Sequence, residues 1–209
     1  MHITDLGLLS LLIVTILIYL GFLHRVLDRM RLTKLQALAI LLSMLVAGFL
    51  PNIHIYAGLS VNIGGALIPL AVALYLIITA DDVHEKRRSL ITSVIVAVLV
   101  FLSEKLLPRD PSSQFFLLDP LFMPAVIAAL TAYLLGRSRR SAFIGGVFGV
   151  ILTDVFAWLE NLFLYKLHVP IVLGSTGVFG AAVIGGMGAV LLAELVGEIV
   201  ERLLGGPQA

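Results

Sequence analysis

Cysteine is absent from all 209 residues, which excludes disulfides, thiolate nucleophiles and cysteine metal sites. Histidine is scarce and scattered. His2, His24, His54, His84 and His168 fall in expected loops and segment ends with no i, i+4 pair, so no metal site is expected, and no cofactor either. Charge is also in short supply: 13% of residues are charged and 60% are hydrophobic. The mean hydropathy of +1.09 lies outside the range of soluble domains. The formal net charge of +1 carries little as a total, because in a membrane protein the placement of charge matters more than its sum. The expected partner is the lipid bilayer, with no nucleic acid.

The apolar runs can be taken in order. Leu6 to Leu23 is preceded by Asp5 and followed by His24, Arg25, Arg29, Arg31 and Lys34. This charge order is the reverse of a cleaved signal peptide and predicts a retained anchor with its N-terminus outside. Leu35 to Leu50 is short for a span and stops at Pro51. Asn52 to Leu59, without Asp, Glu, Lys or Arg, is expected in the outer interface, where Tyr56 and His54 are comfortable. The third run opens Val61-Asn62-Ile63-Gly64-Gly65-Ala66-Leu67-Ile68-Pro69 and continues to Thr79. Gly64, Gly65 and Pro69 predict either a broken helix lining a wet cavity with Asn62 at its mouth, or ordinary close packing through the glycines. Asp81 to Arg88 reads as a solvated loop. Leu90 to Leu102 is a fourth run, extendable to Leu107 if Glu104 and Lys105 snorkel. Pro108 to Gln114 is turn chemistry. The fifth run opens at Asp119-Pro120, an N-cap followed by proline, and ends at Leu135 before Arg137, Arg139 and Arg140. Pro69 and Pro124 each precede an Ala/Leu-rich stretch with a tyrosine and then a basic loop, a weak trace of an internal repeat.

Ser141 to Tyr165 organises the chain. At about 1.5 Å per helical residue it exceeds the roughly 30 Å of bilayer hydrocarbon and carries Asp154 near its middle. An aspartate at that depth costs about 2.5 to 3.5 kcal/mol on insertion scales, so it faces protein or trapped water. It is either a functional site or a hydrogen-bonded link between two helices. Asn161 shares its face, and Trp158, one turn away, offers an indole donor. Gly145, Gly149 and Thr153 recur every fourth residue, as close helix contact requires. The chain then passes through Gly174-Ser175-Thr176-Gly177 into the last run, ending near Val200. There small residues fall at Gly177, Ala181, Gly185, Ala189, Ala193 and Gly197, the strongest periodic signal present. It predicts tight packing against a helix of this chain or of a second copy, so a homo-oligomer through the last segment is one expectation.

The string Asn62 to Pro69, the Thr153-Asp154 pair and the stretch Gly174 to Gly186 together resemble a prokaryotic membrane family called domain of unknown function 1614. The resemblance covers most of the chain beyond the second run and implies a small polytopic protein of bacteria or archaea with no established activity. The family's late glycine-rich motif often carries an aspartate after a phenylalanine, whereas here Phe179 is followed by Gly180. That departure weakens a two-aspartate mechanism.

These readings predict one all-α integral membrane domain over residues 1–209, a transmembrane helix bundle of about seven segments, some broken by Gly or Pro. Eleven of the 14 Lys and Arg then lie on the inner side, which places the N-terminus outside and the C-terminus in the cytoplasm. The function expected is a small transporter or permeation protein for an ion or small solute. Asp154 would stand at its polar site with Asn62, Asn161, Trp158 and Thr176, amid glycine-broken or closely packed backbone at Gly64, Gly65, Gly174, Gly177, Gly180 and Gly185. The alternatives are an intramembrane aspartyl-type enzyme and a noncatalytic scaffold. The enzyme needs a second carboxylate, and Asp119 and Glu194 are expected near opposite edges.

Overall fold

A computed structural model describes residues 33–106, 122–166, 169–175, 177 and 180–203. The first apolar run, the Pro108 to Gln114 turn, Asp119 and Thr176 lie outside the described residues. Six α-helices dominate, so the all-α class holds. They are α1 (Lys34–Gly48), α2 (Ile68–Ile78), α3 (Val83–Leu106), α4 (Met123–Gly136), α5 (Arg139–Leu159) and α6 (Ala181–Leu203). Two helical stretches, Val83–Leu106 and Arg139–Leu164, are long and apolar enough to cross a membrane. The apolar helices Leu35–Gly48, Ile63–Ile78, Met123–Gly136 and Ala181–Gly197 are shorter.

Local chemistry sets the helix ends. Thr33 and Gln36 form a reciprocal capping box at the start of α1. The Asp82 carboxylate accepts from the His84 N–H at 2.8 Å, and Glu85 occupies the first turn of α3. The charged stretch expected as a loop is therefore helical from Val83, because its acids lie where a helix N-terminus favours negative charge. Pro124 falls in the first turn of α4, where the missing N–H costs nothing, and Pro69 stands directly after a π-helical turn, Ile63–Leu67, that leads into α2. Between α4 and α5 the chain reverses at Arg137, whose φ is 55°, and Ser138 caps α5 through the Ser141 N–H at 3.0 Å.

A small sheet was not anticipated. Ile53–Tyr56 (β1) and Leu59–Val61 (β2) form an antiparallel hairpin where an interfacial loop was expected. Its turn residues Ala57 and Gly58 both have positive φ, 45° and 81°, as a tight hairpin requires. Ile171–Leu173 (β3) then pairs in parallel with β2, Val61 opposite Leu173. The result is a three-stranded sheet at the end of the bundle away from Arg139.

The core is built on α5, packed between α3 on one side and α4 and α6 on another. Its every-fourth-residue stripe meets α3: a Cβ on Gly145 would stand 2.6 Å from Thr92 Cγ2, and one on Gly149 2.5 Å from Val96 Cβ. One step further, Thr153 Oγ1 donates to the carbonyls of Ala97 (3.2 Å) and Gly149 (3.1 Å). The small-residue ladder of α6 finds its partner within the chain. A Cβ on Gly185 would lie 3.0 Å from Ala128 Cβ of α4, and one on Gly186 2.6 Å from Val147 Cγ2 of α5. The outward face of α3 is apolar, and its buried face mixes hydroxyls with Val96, Ala97 and Val100. Ser89, Thr92 and Ser93 point into the protein, while Leu90, Ile91, Val94, Val98, Leu99 and Leu102 point out. Ser89 and Ser141 share a hydrogen bond of 2.8 Å across the interior.

Candidate functional site

Asp154 borders a cavity of about 180 Å³ between the C-terminal half of α5, the end of α3 and the glycine-rich loop that precedes α6. Its wall includes Glu104, Thr153, Asp154, Gly174, Ser175 and Gly180. That volume is below the roughly 300 to 1,000 Å³ of drug-sized sites, yet one water needs only about 10 to 15 Å³ of such space. It suits a hydrated ion or a very small solute. Two carboxylates line it, and among the described residues its wall has no Lys, Arg or His. Toward the Arg139 end, the fully buried Val96, Ile144 and Val147 pack solid. The Asp154 carboxylate accepts a hydrogen bond from the Gly174 N–H at 3.4 Å.

A relay of backbone contacts holds that donor. Asn62 follows β2 and caps a π-helical turn, Ile63–Leu67, by accepting from the Gly65 N–H at 2.8 Å. Its amide donates to the Gly48 carbonyl (3.3 Å) and to Asn52 Oδ1 (3.0 Å), tying the turn to the end of α1. Gly65 then lies flat on the loop before α6, since a Cβ there would meet Gly174 O and stand 2.7 Å from Gly177 Cα. Gly174 and Gly177 have φ of 66° and 60°, a backbone that side chains rarely adopt. A broken segment at depth survives only where protein covers it. Here two broken segments, the π-helical turn before α2 and the loop before α6, cover each other.

The profile of the family described as "Protein of unknown function (DUF1614)" matches residues 18–192. The chain belongs to that family. No curated protein and no solved structure matches it. The match spans the whole cavity of this DUF1614 protein, both carboxylates and the glycine loop included.

In this DUF1614 member the candidates from sequence separate into distinct places. Asp154, Gly174 and Gly180 meet at the cavity, and Gly64, Gly65 and Gly177 form the seam behind it. Asn62 is almost fully buried in the cap of the π-helical turn, not at the cavity wall. Trp158 does not serve Asp154: its indole N–H donates to the Ala57 carbonyl at 3.2 Å and pins the hairpin turn to α5. Asn161 lies beyond it in a second π-helical turn, Glu160–Leu164, away from the cavity wall. Gly185 belongs to the seam between α6 and α4. The second acid among the described residues of the site is Glu104, not Glu194, while Asp119 lies outside the described residues. Sequence reading assigned Glu104 to snorkelling beside Lys105, but only Lys105 turns away, pairing with Glu160 at 2.5 Å. The signal was the spacing Val96, Val100, Glu104, a single helix face whose first two members are fully buried. Glu194 is buried far from the cavity, ion-paired with Arg139.

Proposed function

We propose that this protein is one polytopic domain of the cell membrane that moves a small cation, or a proton-coupled solute, through the Asp154–Glu104 cavity. The carrying observation is a small cavity with two carboxylates and no basic side chain in its described wall, set where two broken backbone segments meet. Transporter sites near the membrane interior are assembled from such discontinuous segments, and intramembrane acids attract cations or protons. The apolar outward face of α3 supports residence in a bilayer. About seven segments, with the N-terminus outside and the C-terminus in the cytoplasm, agree with the placement of Lys and Arg. Movement of the solute inward requires the packing of Val96, Ile144 and Val147 to open, so α5 shifts against α3 during the cycle.

Flux assays in proteoliposomes, with Na⁺, K⁺ and a proton gradient as probes, test this reading. Asp154→Asn and Glu104→Gln are each expected to lower flux about tenfold or more, equivalent to losing a charge-assisted contact of about 1.5 to 3 kcal/mol, with folding retained. Paired carboxylates also serve acid–base hydrolysis. Cleavage of a membrane peptide that both substitutions abolish, without flux in the native protein, would replace transport by the enzyme.

A further inference from the structure

We infer that the opposite end of the bundle holds an anionic phospholipid, gripping its phosphate with arginines at the corner between α4 and α5. A cavity of about 730 Å³ lies there, far larger than the acidic one, and Asp154 is fifteen helical residues, roughly 22 Å, away along α5. The two sites are independent.

Three arginines line this cavity, Arg137, Arg139 and Arg140, against one acid, Glu85. The local acids are already engaged. Glu85 accepts from Ser138 Oγ at 2.7 Å and lies 3.8 Å from Arg140 Nη1, and Glu194 pairs with Arg139 from behind. No hydrogen bond or ion pair to another described residue is found for the exposed Arg137. It is held at the helix corner with φ 55°, a strained backbone for a residue with a side chain. Arg139 and Arg140 stand in the first turn of α5, where the helix macrodipole already presents positive charge. Cations are the wrong sign for that position and draw anions, Glu85 and Glu194 among them. Gly197 of α6 keeps room beside the guanidinium, since even an added Cβ would remain 3.9 Å from Arg139 Nη2.

The remaining wall selects a lipid over a free anion. Leu134 and Val200 line the same cavity and are largely exposed, so an apolar surface runs from the arginines along α4 and α6. A phosphate diester with acyl chains satisfies both surfaces at once, the phosphate on the guanidinium groups and a chain along the apolar wall. Basic pockets between membrane helices on the cytoplasmic side bind anionic headgroups in this way.

The test is native mass spectrometry of the detergent-purified full chain titrated with phosphatidylglycerol, phosphatidylcholine or inorganic phosphate. One phosphatidylglycerol is expected to be retained per chain in preference to phosphatidylcholine, and millimolar inorganic phosphate is not expected to displace it. Arg137→Gln is expected to weaken phosphatidylglycerol about fivefold, as one arginine at an anionic surface contributes, with unchanged thermal unfolding in lipid-free detergent. Arg87→Gln, an exposed inner basic residue outside the cavity, is expected to have no effect. Equal affinity for both lipids, or equal loss in the two variants, would overturn the proposal. Displacement by phosphate alone would overturn the lipid assignment.

Discussion

Gly174 is where backbone conformation and site chemistry coincide. Its N–H is the donor to Asp154, its φ is 66°, and a Cβ on it would stand 2.5 Å from Gly65 O. Gly174→Ala therefore incurs about 1 to 2 kcal/mol for the left-handed backbone and a further clash that separates the two broken segments. We expect a lower unfolding temperature in detergent and a loss of flux larger than Ser175→Ala produces, because Ser175 is exposed and has no comparable contact. Asn62→Ala is expected to give the same pair of effects from further away. It leaves the buried Gly65 N–H without its acceptor, at about 1 to 3 kcal/mol, and frees the turn on which Gly174 rests. If Asn62→Ala lost flux while its unfolding temperature stayed native, the positioning role assigned to it would be wrong.

Glycine stripes set the spacing between the helices. Gly145 and Gly149 bring α3 against α5, and Gly185 brings α6 against α4, each with a neighbour already at van der Waals contact. Leucine at Gly149 or Gly185 would force those helices apart and is expected to cost about 1 to 3 kcal/mol, read as reduced yield and a lower unfolding temperature. Both stripes are legible in the sequence because small residues at every fourth place put one narrow strip along one helix face. Their partners were not legible, since periodicity says that something approaches closely but not what. The sheet was missed for a related reason. Strands of three or four residues are too short to show an alternating pattern, and the parallel pairing of β2 with β3 joins positions more than a hundred residues apart.

At the scale of the whole molecule, ion pairs mark the two ends of the parallel α3 and α5, Lys105 with Glu160 at one and Arg140 with Glu85 at the other. With the proposed orientation the first pair is outside and the second inside. A reporter fused after Gln208 is expected to be cytoplasmic; an extracytoplasmic reporter would invert the orientation, because nearly all the basic residues would then face outward.

The all-α class, the apolar runs, the glycine-broken third segment and the presence of an acid within the long apolar stretch follow from the chain alone. Each depends on residue type and on spacing within one segment. Tertiary structure alone decided that Glu104 joins Asp154, that Gly174 supplies the hydrogen bond, and that Trp158 and Asn62 hold other parts of the fold. The physical reason is that a polar side chain within a bundle takes the partner that packing brings within hydrogen-bonding distance. That partner comes from another segment: from Asp154, Glu104 is fifty residues earlier and Gly174 twenty later.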